Sequence, residues 1–394
     1  MKFKLIYPKW KKLERQTVFN LPPHGPVVMA AALPPDVEVS FIDENVEDLD
    51  FNDPADFVGI SVMLVSQIKR GWEIADIYRS KGVKVIFGGI STMLLYEQTL
   101  EHADSVFLGE AEGYMEEVFS DFKNGQLKKI YDYMQKLPSV DKIGTARRDI
   151  LKRELYNYKK MQSVDLVHAS RGCRFNCYPC CTPFLGGRHF RPRPYDKVVT
   201  EIESIDNDRL FVVDNSLAQN DDWVKGLFRE LIPLKKKFCC HPITNDDEIL
   251  ELAARAGAWY VYQAVFDTSD LIRDRIKRYH DHGIAVEGTI LLGMDNHDED
   301  YIKRLVDFLL EINLELAEFT ILTPFPHTQT YDDMKAQNRI LSHDWDLYTA
   351  DKVVFQPRLM TPEKLQELYF YAWDTFYKEE AQFFKMYKMF KMIY

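Results

Sequence analysis

Strand-like and helix-like segments alternate along most of this chain in two separate runs, and this alternation limits the folds that are open to it. The first run, residues 1–125, contains a helix-like stretch at 67–82 and strand-like stretches at 37–44, 56–64, 84–90 and 105–112. Strands that alternate with helices through short loops build a parallel, doubly wound sheet. Such sheets bind ligands at the carboxyl ends of their strands, so we expect the loops after Val62, Phe87 and Leu108 to carry function.

A second run of strands and helices begins at Ser163 and continues to about residue 330. Its strand-like stretches are 164–170, 209–216, 259–267, 284–294 and 317–325, and helical stretches separate them. This alternation predicts a full or partial (β/α) barrel. The charged, irregular stretch 126–162 is either a linker or a strand and helix that belong to one of its neighbours. The predicted fold is therefore α/β: a Rossmann-like domain over 1–125, the linker, a barrel over 163–330, and a small, mostly helical C-terminal region over 331–394.

The composition is typical of a globular protein and excludes few functions. The chain has 394 residues, 46% of them hydrophobic, and a formal net charge of −11. A nucleic-acid-binding protein normally presents a basic face, so the acidic balance argues against a nucleic-acid partner. No window approaches the ~18 uninterrupted apolar residues of a membrane span. The N-terminus lacks the long apolar region of a signal peptide, so we expect a cytoplasmic protein without a membrane partner.

The cysteines fall into two tight groups, which is typical of metal ligands and not of a secreted disulfide framework. Cys173, Cys177 and Cys180 lie on one short loop directly after a strand-like stretch. Three thiolates on a cubane leave its fourth iron open to a bidentate ligand, so this spacing predicts a [4Fe–4S] cluster. The alternatives are chance, or zinc, which prefers four ligands. Small buried residues are the prediction for the other cysteines, Cys181, Cys239 and Cys240.

The Cys-x3-Cys-x2-Cys loop with strand–helix units behind it resembles the radical S-adenosylmethionine (SAM) superfamily. The first run is similar to the cobalamin-binding domain of its cobalamin-dependent class, the class B radical SAM methyltransferases. Before the loop, the matching segments are FIDENVE (41–47), DFVGIS (56–61), VKVIFGGIST (83–92) and HADSVFLGEAE (102–112). After it, they are GGRHFRPRPYDKVVTEIE (186–203), LFVVDNSLAQN (210–220), GIAVEGTILLGMD (283–295), FTILTPFPHT (319–328) and DWDLYTADKVVFQPRLMTPEKL (344–365). The resemblance covers nearly the whole chain.

The resemblance implies that the three cysteines of the loop hold the cluster and that two further ligands bind near it. SAM is implied at the ends of successive barrel strands, at Asp214, Asn215, Gln263, Asp267, Gly288, Ile290 and Gly293. Cobalamin is implied along the loops of the first sheet, at Val62, Leu64, Val65, Gln67, Gly88, Gly89, Ile90, Ser91, Thr92, Leu108, Gly109, Glu110 and Glu112. The alternatives are that Asp214 caps a helix or turn and that Gly88 and Gly89 form an ordinary tight turn.

Two details of the resemblance concern the cobalt and the catalytic residues. The Asp-x-His-x-x-Gly signature of other cobalamin proteins is absent, which favours base-off cobalamin without a protein histidine on the cobalt. Tyr114 ends the loop LGEAEGY (108–114) and is the one predicted catalytic residue, with the cobalt, the open iron or the substrate as its contact. The alternative is that its ring packs at the start of the following helix.

The resemblance implies a C-methyltransferase that moves a methyl group from methylcobalamin to an unactivated sp3 carbon through a 5′-deoxyadenosyl radical. The compact layout resembles the peptide-modifying members, such as the glutamine C-methyltransferase that acts on methyl-coenzyme M reductase. The expected partners are a peptide or protein substrate and a reductase or ferredoxin as electron donor. Two alternatives stay open: a radical SAM cyclase or rearrangement enzyme with the same fold, and a non-catalytic corrinoid or metal-binding module.

Overall fold

Two six-stranded parallel sheets form the frame of the protein, in a computed structural model that describes residues 1–15, 20–158 and 161–378. The first sheet consists of β1 (Lys2–Tyr7), β2 (Glu38–Asp43), β3 (Phe57–Ser61), β4 (Lys84–Gly88), β5 (Ser105–Leu108) and β6 (Ile130–Asp132). Its order is β2-β1-β3-β4-β5-β6, and each neighbouring pair is parallel. This confirms the predicted doubly wound sheet, whose order reverses between β1 and β3, the place where such sheets open a ligand crevice.

Helices cover both faces of this sheet. They are α1 (His24–Ala31), α2 (Ile68–Ser80), α3 (Ile90–Leu94), α4 (Tyr96–His102) and α5 (Met115–Lys123). One apolar core includes Phe57 and Phe119 on the side of α1 and α5, and the other includes Ile60 and Phe87 on the opposite side. Successive strand residues point to opposite faces, so each central strand contributes to both cores.

One strand of the first sheet, β1, was not expected from the sequence pattern, and another, β6, favours the alternative in which 126–162 contains a strand of a neighbouring domain. The central strand β1 escaped notice because its apolar run is short and is interrupted by Lys4, whose side chain is nevertheless buried. The ammonium group of Lys4 reaches the Asp53 carboxylate at 2.8 Å, which explains how a charge is tolerated there. The edge strand β6 comes from the stretch 126–162 and pairs with β5.

The strands of the second sheet are ordered as in an open barrel. Two short antiparallel pairs flank its first strand: β7 (Asn157–Tyr158) with β8 (Met161–Gln162), and β10 (Ser170–Arg171) with β11 (Arg191–Pro192). The sheet itself consists of β9 (Asp165–Val167), β12 (Arg209–Val212), β13 (Lys237–Cys240), β14 (Ala258–Ala264), β15 (Ala285–Leu292) and β16 (Leu316–Ile321). Its neighbours follow chain order, β16-β15-β14-β13-β12-β9, and all are parallel, which confirms the predicted partial barrel.

The helices that follow the barrel strands begin and end at residues that commonly cap helices. They are α6 (Thr182–Gly186), α7 (Tyr195–Glu203), α8 (Asp221–Leu231), α9 (Asp247–Ala256), α10 (Asp270–Asp281) and α11 (Glu299–Glu311). The Ser269 side chain accepts a hydrogen bond from the Ile272 amide at the start of α10. Gly257 ends α9 with φ 107°, a conformation that favours glycine.

The C-terminal region connects back to the first sheet. It contains α12 (Gln329–Ala336) and α13 (Pro362–Phe376), and α13 packs in the barrel core through Leu365 and Phe376. Trp345 and Tyr348 pack instead in a core of the first sheet, and the Trp345 indole N–H donates to the Gln98 side chain at 2.7 Å. The predicted helical tail over 379–394 lies outside the described residues. Among the helices described, none has the length and apolar character needed to cross a membrane.

Candidate active site

The three cysteines of the predicted cluster site lie between β10 and α6, at the carboxyl edge of the barrel sheet. Cys173 is half-buried, whereas Cys177 and Cys180 are exposed. The Cys180 amide donates a hydrogen bond to the Cys177 carbonyl oxygen at 2.9 Å, which turns the loop back on itself. Burial, and then the neighbouring thiols of Cys180 and Cys173, raise the pKa of the Cys177 thiol.

The donor set of this loop fits an iron–sulfur cluster better than a single metal ion. Its donors are the three thiols of Cys173, Cys177 and Cys180, and thiolates suit iron–sulfur clusters. Each thiolate of a cubane binds a different iron atom, so the ligands of a cluster do not have to converge on one point. A structural zinc ion, in contrast, needs four ligands around a single centre.

A glycine shapes the start of the cysteine loop. Gly172 has φ 74°, and a Cβ added there would lie only 2.1 Å from the carbonyl oxygen of His189. Any other residue would collide with this backbone, so the turn into Cys173 requires glycine.

The remaining cysteines have different surroundings. Cys181 is half-buried and lines a cavity, and burial, followed by the neighbouring Cys180, raises the pKa of its thiol to about 11. Cys239 and Cys240 are fully buried on β13, and burial raises the pKa of the Cys239 thiol to about 12. Neutral thiols in such surroundings act as small packing residues.

Asp214 connects the strand end of β12 to the base of the cysteine loop. Its carboxylate accepts hydrogen bonds from the Ala169 amide, at 2.8 Å, and from the Ser170 hydroxyl. The side chain is 2% exposed, and burial raises the pKa of the carboxyl to about 6 despite these bonds. The structure therefore places Asp214 as a support of the segment that leads into Cys173, while its neighbour Asn215 is exposed and lines the cavity.

The other residues predicted to bind SAM lie on the helix side of their strands or at helix starts. Gln263 and Ile290 are buried, and Ile290 belongs to the core between strands and helices. A Cβ on Gly288 would lie 2.5 Å from a Leu314 methyl carbon, so this glycine makes room for a helix-side residue. Asp267 accepts a hydrogen bond from the Ser269 amide at 2.9 Å before α10. The residues on the opposite face of β15, toward the barrel interior, are Glu287, Thr289 and Leu291.

Close packing also explains why residue 293 is a glycine. Its φ is 90°, and an added Cβ would lie 2.7 Å from a Leu365 methyl carbon of α13. Gly293 is therefore required by the packing of α13, as Gly288 is by the packing of Leu314.

The residues predicted to contact cobalamin divide into two groups. Six of them line a cavity: Gly88, Gly89, Ile90, Gly109, Glu110 and Glu112. The others support the loops from behind, because they are buried or half-buried packing residues: Val62, Leu64, Val65, Gln67, Ser91, Thr92 and Leu108. Gln67 illustrates this support, since its amide accepts from the Leu64 amide at 2.8 Å and donates to the Pro8 carbonyl oxygen at 2.6 Å, across the reversal point of the sheet.

A cavity of about 500 Å³ extends from the core of the first sheet to the cysteine loop. Its deep part is apolar and lies against β1, β3 and β5, with Leu5, Ile60 and Phe107 in its wall. Its outer part is bounded by Gly88 and Gly109 on the first sheet and by the stretch from Cys181 to Gly186 on the other side. The carboxyl edges of both sheets therefore face one shared space.

Glutamates of the first sheet and arginines of the barrel form a clasp, defined here as Glu110, Glu112, Arg171 and Arg191. Arg171 makes two hydrogen bonds to the Glu112 carboxylate, at 2.6 and 2.9 Å, and one to Glu110 at 2.9 Å. Arg191 also pairs with Glu110. Burial alone would raise the pKa of the Glu110 carboxyl, but the bonds to Arg191 and Arg171 outweigh it and lower the pKa.

The arginines of this clasp, Arg171 and Arg191, were not among the residues predicted from the sequence. Arg171 stands two residues before Cys173, so the clasp fixes the cysteine loop to the first sheet. A usable signal existed, because opposite charges on two loops that are both expected at one cavity predict a pair.

Two histidines that were not predicted from the sequence meet beside the cavity. His24 Nε2 of α1 and His168 Nδ1, just after β9, are 2.7 Å apart, and both residues line the cavity. The second ring nitrogen of each, His24 Nδ1 and His168 Nε2, is buried without a hydrogen-bond partner. Burial and nearby arginines, among them Arg171 and Arg193, hold the pKa of both rings well below its usual range. Both histidines are therefore neutral at neutral pH.

Tyr114 lies outside this cavity. Its hydroxyl donates to the Lys136 carbonyl oxygen at 2.8 Å, and its ring stacks on Tyr133 with 3.9 Å between ring centroids. This placement favours the alternative in which Tyr114 packs at the start of α5, and it gives the hydroxyl no contact with the cysteine loop.

Comparisons with known proteins agree with this geometry. No family model matches the chain. It is 26% identical to the bacteriochlorophyllide d C-12(1)-methyltransferase of Chlorobaculum tepidum over 87% of this chain and 80% of that protein. It is 24% identical to the bacteriochlorophyllide d C-8(2)-methyltransferase of the same organism over 84% of this chain and 79% of that protein.

One solved structure of the same fold is TsrM from Kitasatospora setae, described as a radical S-adenosylmethionine methyltransferase with cobalamin and a [4Fe–4S] cluster bound. The TM-score is 0.65 at 16% identity, and the match covers 85% of this chain and 75% of that one. At this identity, the likeness concerns the fold.

Proposed function

We propose that the chain is a cobalamin-dependent radical SAM enzyme, a C-methyltransferase that acts on an unactivated sp3 carbon. One observation carries the proposal: Gly172 and Cys181, which flank the three-cysteine loop at the carboxyl edge of the partial barrel, line the same cavity as the carboxyl edge of a doubly wound sheet. When bound, the cluster would supply the electron that cleaves SAM, and the cobalamin would supply the methyl group.

In this proposal, the residues of this chain bind and position the cofactors and exclude water from them. Cys173, Cys177 and Cys180 would hold the cluster, and Asp214 holds the backbone that leads into them. The clasp between Glu112 and Arg171 keeps the two carboxyl edges together, so that ligands of the two sheets would meet in one enclosed space. Exposure of Cys177 and Cys180 is consistent with electron delivery by an external reductase or ferredoxin.

The cavity supports cobalamin as the ligand of the first sheet. Its outer rim contains Gly88, where an added Cβ would meet no atom within 4 Å, so a flat macrocycle has room to approach the backbone. The apolar slot between β1, β5 and α5 suits the aromatic tail of a base-off cofactor. The nearby histidines, His24 and His168, are hydrogen-bonded to each other.

There are two candidate substrates. A peptide or protein residue such as glutamine stays a prediction from the sequence. The similarity to two proteins named as bacteriochlorophyllide methyltransferases supports a tetrapyrrole carbon as the competing candidate.

Anaerobic reconstitution with iron, sulfide and cobalamin tests the proposal. We expect iron bound at the stoichiometry of one cubane, bound cobalamin, and reductive cleavage of SAM to 5′-deoxyadenosine. Incubation with a glutamine-containing peptide and with bacteriochlorophyllide, followed by mass spectrometry, then separates the two substrates. A product heavier by one methyl group supports methyl transfer, whereas a product of cyclisation lacks this gain. A reconstituted protein that binds neither iron nor cobalamin would overturn the proposal.

A further inference from the structure

Gln219 is a buried amide that contacts the cysteine loop at two points. It lies in the loop between β12 and α8 and is only 1% exposed. Its Nε2 atom lies 3.3 Å from the Cys173 sulfur, and its Oε1 atom accepts a hydrogen bond from the Arg174 amide at 2.9 Å. A side chain from a neighbouring barrel loop therefore reaches both a sulfur that would bind iron and the backbone next to it.

The second contact determines which end of the amide faces the sulfur. The Arg174 amide can only donate, so the Gln219 oxygen must face it. The side-chain NH2 group is then left to point at Cys173. The reverse orientation would set two N–H groups against each other and an oxygen against a thiolate, so the network itself assigns the donor.

We infer that Gln219 donates an N–H···S hydrogen bond to the Cys173 thiolate and thereby raises the reduction potential of the cluster. The inference rests on the proposed function, because it requires a cluster on Cys173. Reduction adds a negative charge to the cluster, so a donor to one of its sulfurs stabilises the reduced form more than the oxidised form. Gln219 acts through Cys173 and is a positioning residue.

Burial strengthens this hydrogen bond. At 1% exposure the Gln219 amide is shielded from water, and a charge-assisted hydrogen bond is stronger where water does not compete. Cys177 and Cys180 are exposed, whereas Cys173 is half-buried. The bond thus acts on the thiolate that is best screened from solvent.

The test is the midpoint potential of the reconstituted cluster, measured by EPR-monitored titration without SAM. Gln219→Met keeps the approximate length and removes the donor. Gln219→Glu keeps an acceptor for the Arg174 amide but turns an oxygen toward the sulfur. At a fixed solution potential, we expect both variants to lower the ratio of reduced to oxidised cluster about tenfold, which is about 59 mV for one electron.

Asn220→Asp is the matched control for the added charge. Asn220 is the adjacent residue, is exposed, and caps α8 by accepting from the Trp223 amide at 2.9 Å, a role that aspartate also performs. Its extra charge is screened by water, so we expect the wild-type potential. A Gln219→Met protein with full iron content and the wild-type potential would overturn the inference.

A measurement on the wild-type protein covers the case in which both Gln219 variants lose their iron. With glutamine labelled by 15N in the side-chain amide, pulsed EPR of the reduced cluster should detect a coupling to that nitrogen. A cluster without this coupling contradicts the inference. A wild-type protein that assembles no cluster at all contradicts the proposed function instead.

Discussion

Cys180 and Cys181 are neighbours in the chain, yet the structure gives them different surroundings. Cys180 is exposed on the outer part of the loop, whereas Cys181 is half-buried against the cavity. The pKa of the Cys181 thiol, raised to about 11 mainly by burial, keeps that residue protonated at neutral pH. Adjacent cysteines of one short loop therefore differ in exposure, and Cys180 is the one that is open to a ligand.

This difference predicts opposite outcomes for two alanine variants. Cys180→Ala should lose nearly all cluster iron after anaerobic reconstitution, because two thiolates remain to hold a cubane of four iron atoms that needs three. Cys181→Ala should retain most of it, since only a buried thiol is removed. Iron and sulfide analysis, with the visible absorption of the cluster, measures both. Retained iron in Cys180→Ala together with lost iron in Cys181→Ala would show that the ligands are assigned wrongly.

The two buried histidines predict a dependence of stability on pH. The folded-state pKa values of His24 and His168 lie well below the ordinary value, so between the two values the unfolded chain binds protons that the folded one does not. The free energy of unfolding therefore falls as pH drops below about 6.5, by up to about 1.4 kcal/mol per histidine for each pH unit.

The histidine effect is measured as a difference between proteins, because Asp214, with its raised pKa, changes stability in the opposite direction. Between pH 7 and pH 5.5, His168→Gln should lose at least about 1 kcal/mol less unfolding free energy than the wild type, measured in urea. His343→Gln is the control, since His343 is exposed. Equal losses in the His168→Gln variant and the wild type would contradict the prediction.

At the scale of elements, the turn after β4 separates two roles that the sequence assigned to one pair of glycines. Gly89 has φ 94°, and an added Cβ would lie 2.5 Å from the Val62 carbonyl oxygen. Gly88 lines the cavity, and an added Cβ there would meet nothing within 4 Å. Gly89 is therefore required by the backbone, and Gly88 is the position at which a side chain would enter the cavity.

Gly88→Leu should reduce bound cobalamin severalfold while the protein keeps its iron and its melting temperature. Gly89→Ala should instead destabilise the fold by about 1–3 kcal/mol, because the backbone conformation disfavours a Cβ and the Val62 carbonyl obstructs it. Cobalamin content after gel filtration and thermal unfolding give the two readouts. A stable Gly88→Leu protein with full cobalamin content would show that the ligand does not approach this turn.

Sequence periodicity predicted the strands and helices well, but it predicted poorly which face of a strand each side chain occupies. The loop of Cys173, Cys177 and Cys180 and the carboxyl edge of β12 were identified because spacing and strand ends are local properties. The strand-end residues Gln263 and Ile290 were assigned to a ligand although their side chains lie on the helix side. A strand that is covered on both faces contains apolar residues throughout, so its pattern does not show which face is which.

At the scale of the whole molecule, the clasp joins the two sheets across their shared cavity. Glu112 is 3% exposed and Arg171 makes contacts on both Glu110 and Glu112, so these charges depend on one another. The opposite charges of the two loops indicated that a pair could form, but the sequence pattern did not give its partners, because Glu112 and Arg171 stand 59 positions apart in two domains.

Glu112→Gln should lower the free energy of unfolding by about 2–4 kcal/mol, because it leaves the buried Arg171 guanidinium without its bidentate partner. Glu116→Gln, at an exposed position of α5, is the control and should stay within about 0.5 kcal/mol of the wild type. Denaturant unfolding measures both variants. A Glu112→Gln protein as stable as the control would show that the clasp does not hold the sheets together.

The return of the C-terminal region to the first sheet sets the order in which the protein can be completed during translation. The N-terminal domain emerges from the ribosome first, but Trp345, Tyr348 and Val354 belong to one of its cores. Until those residues are synthesised, α2 and α4 present an uncovered apolar surface. The first sheet therefore reaches its final packing only after every barrel strand has been made.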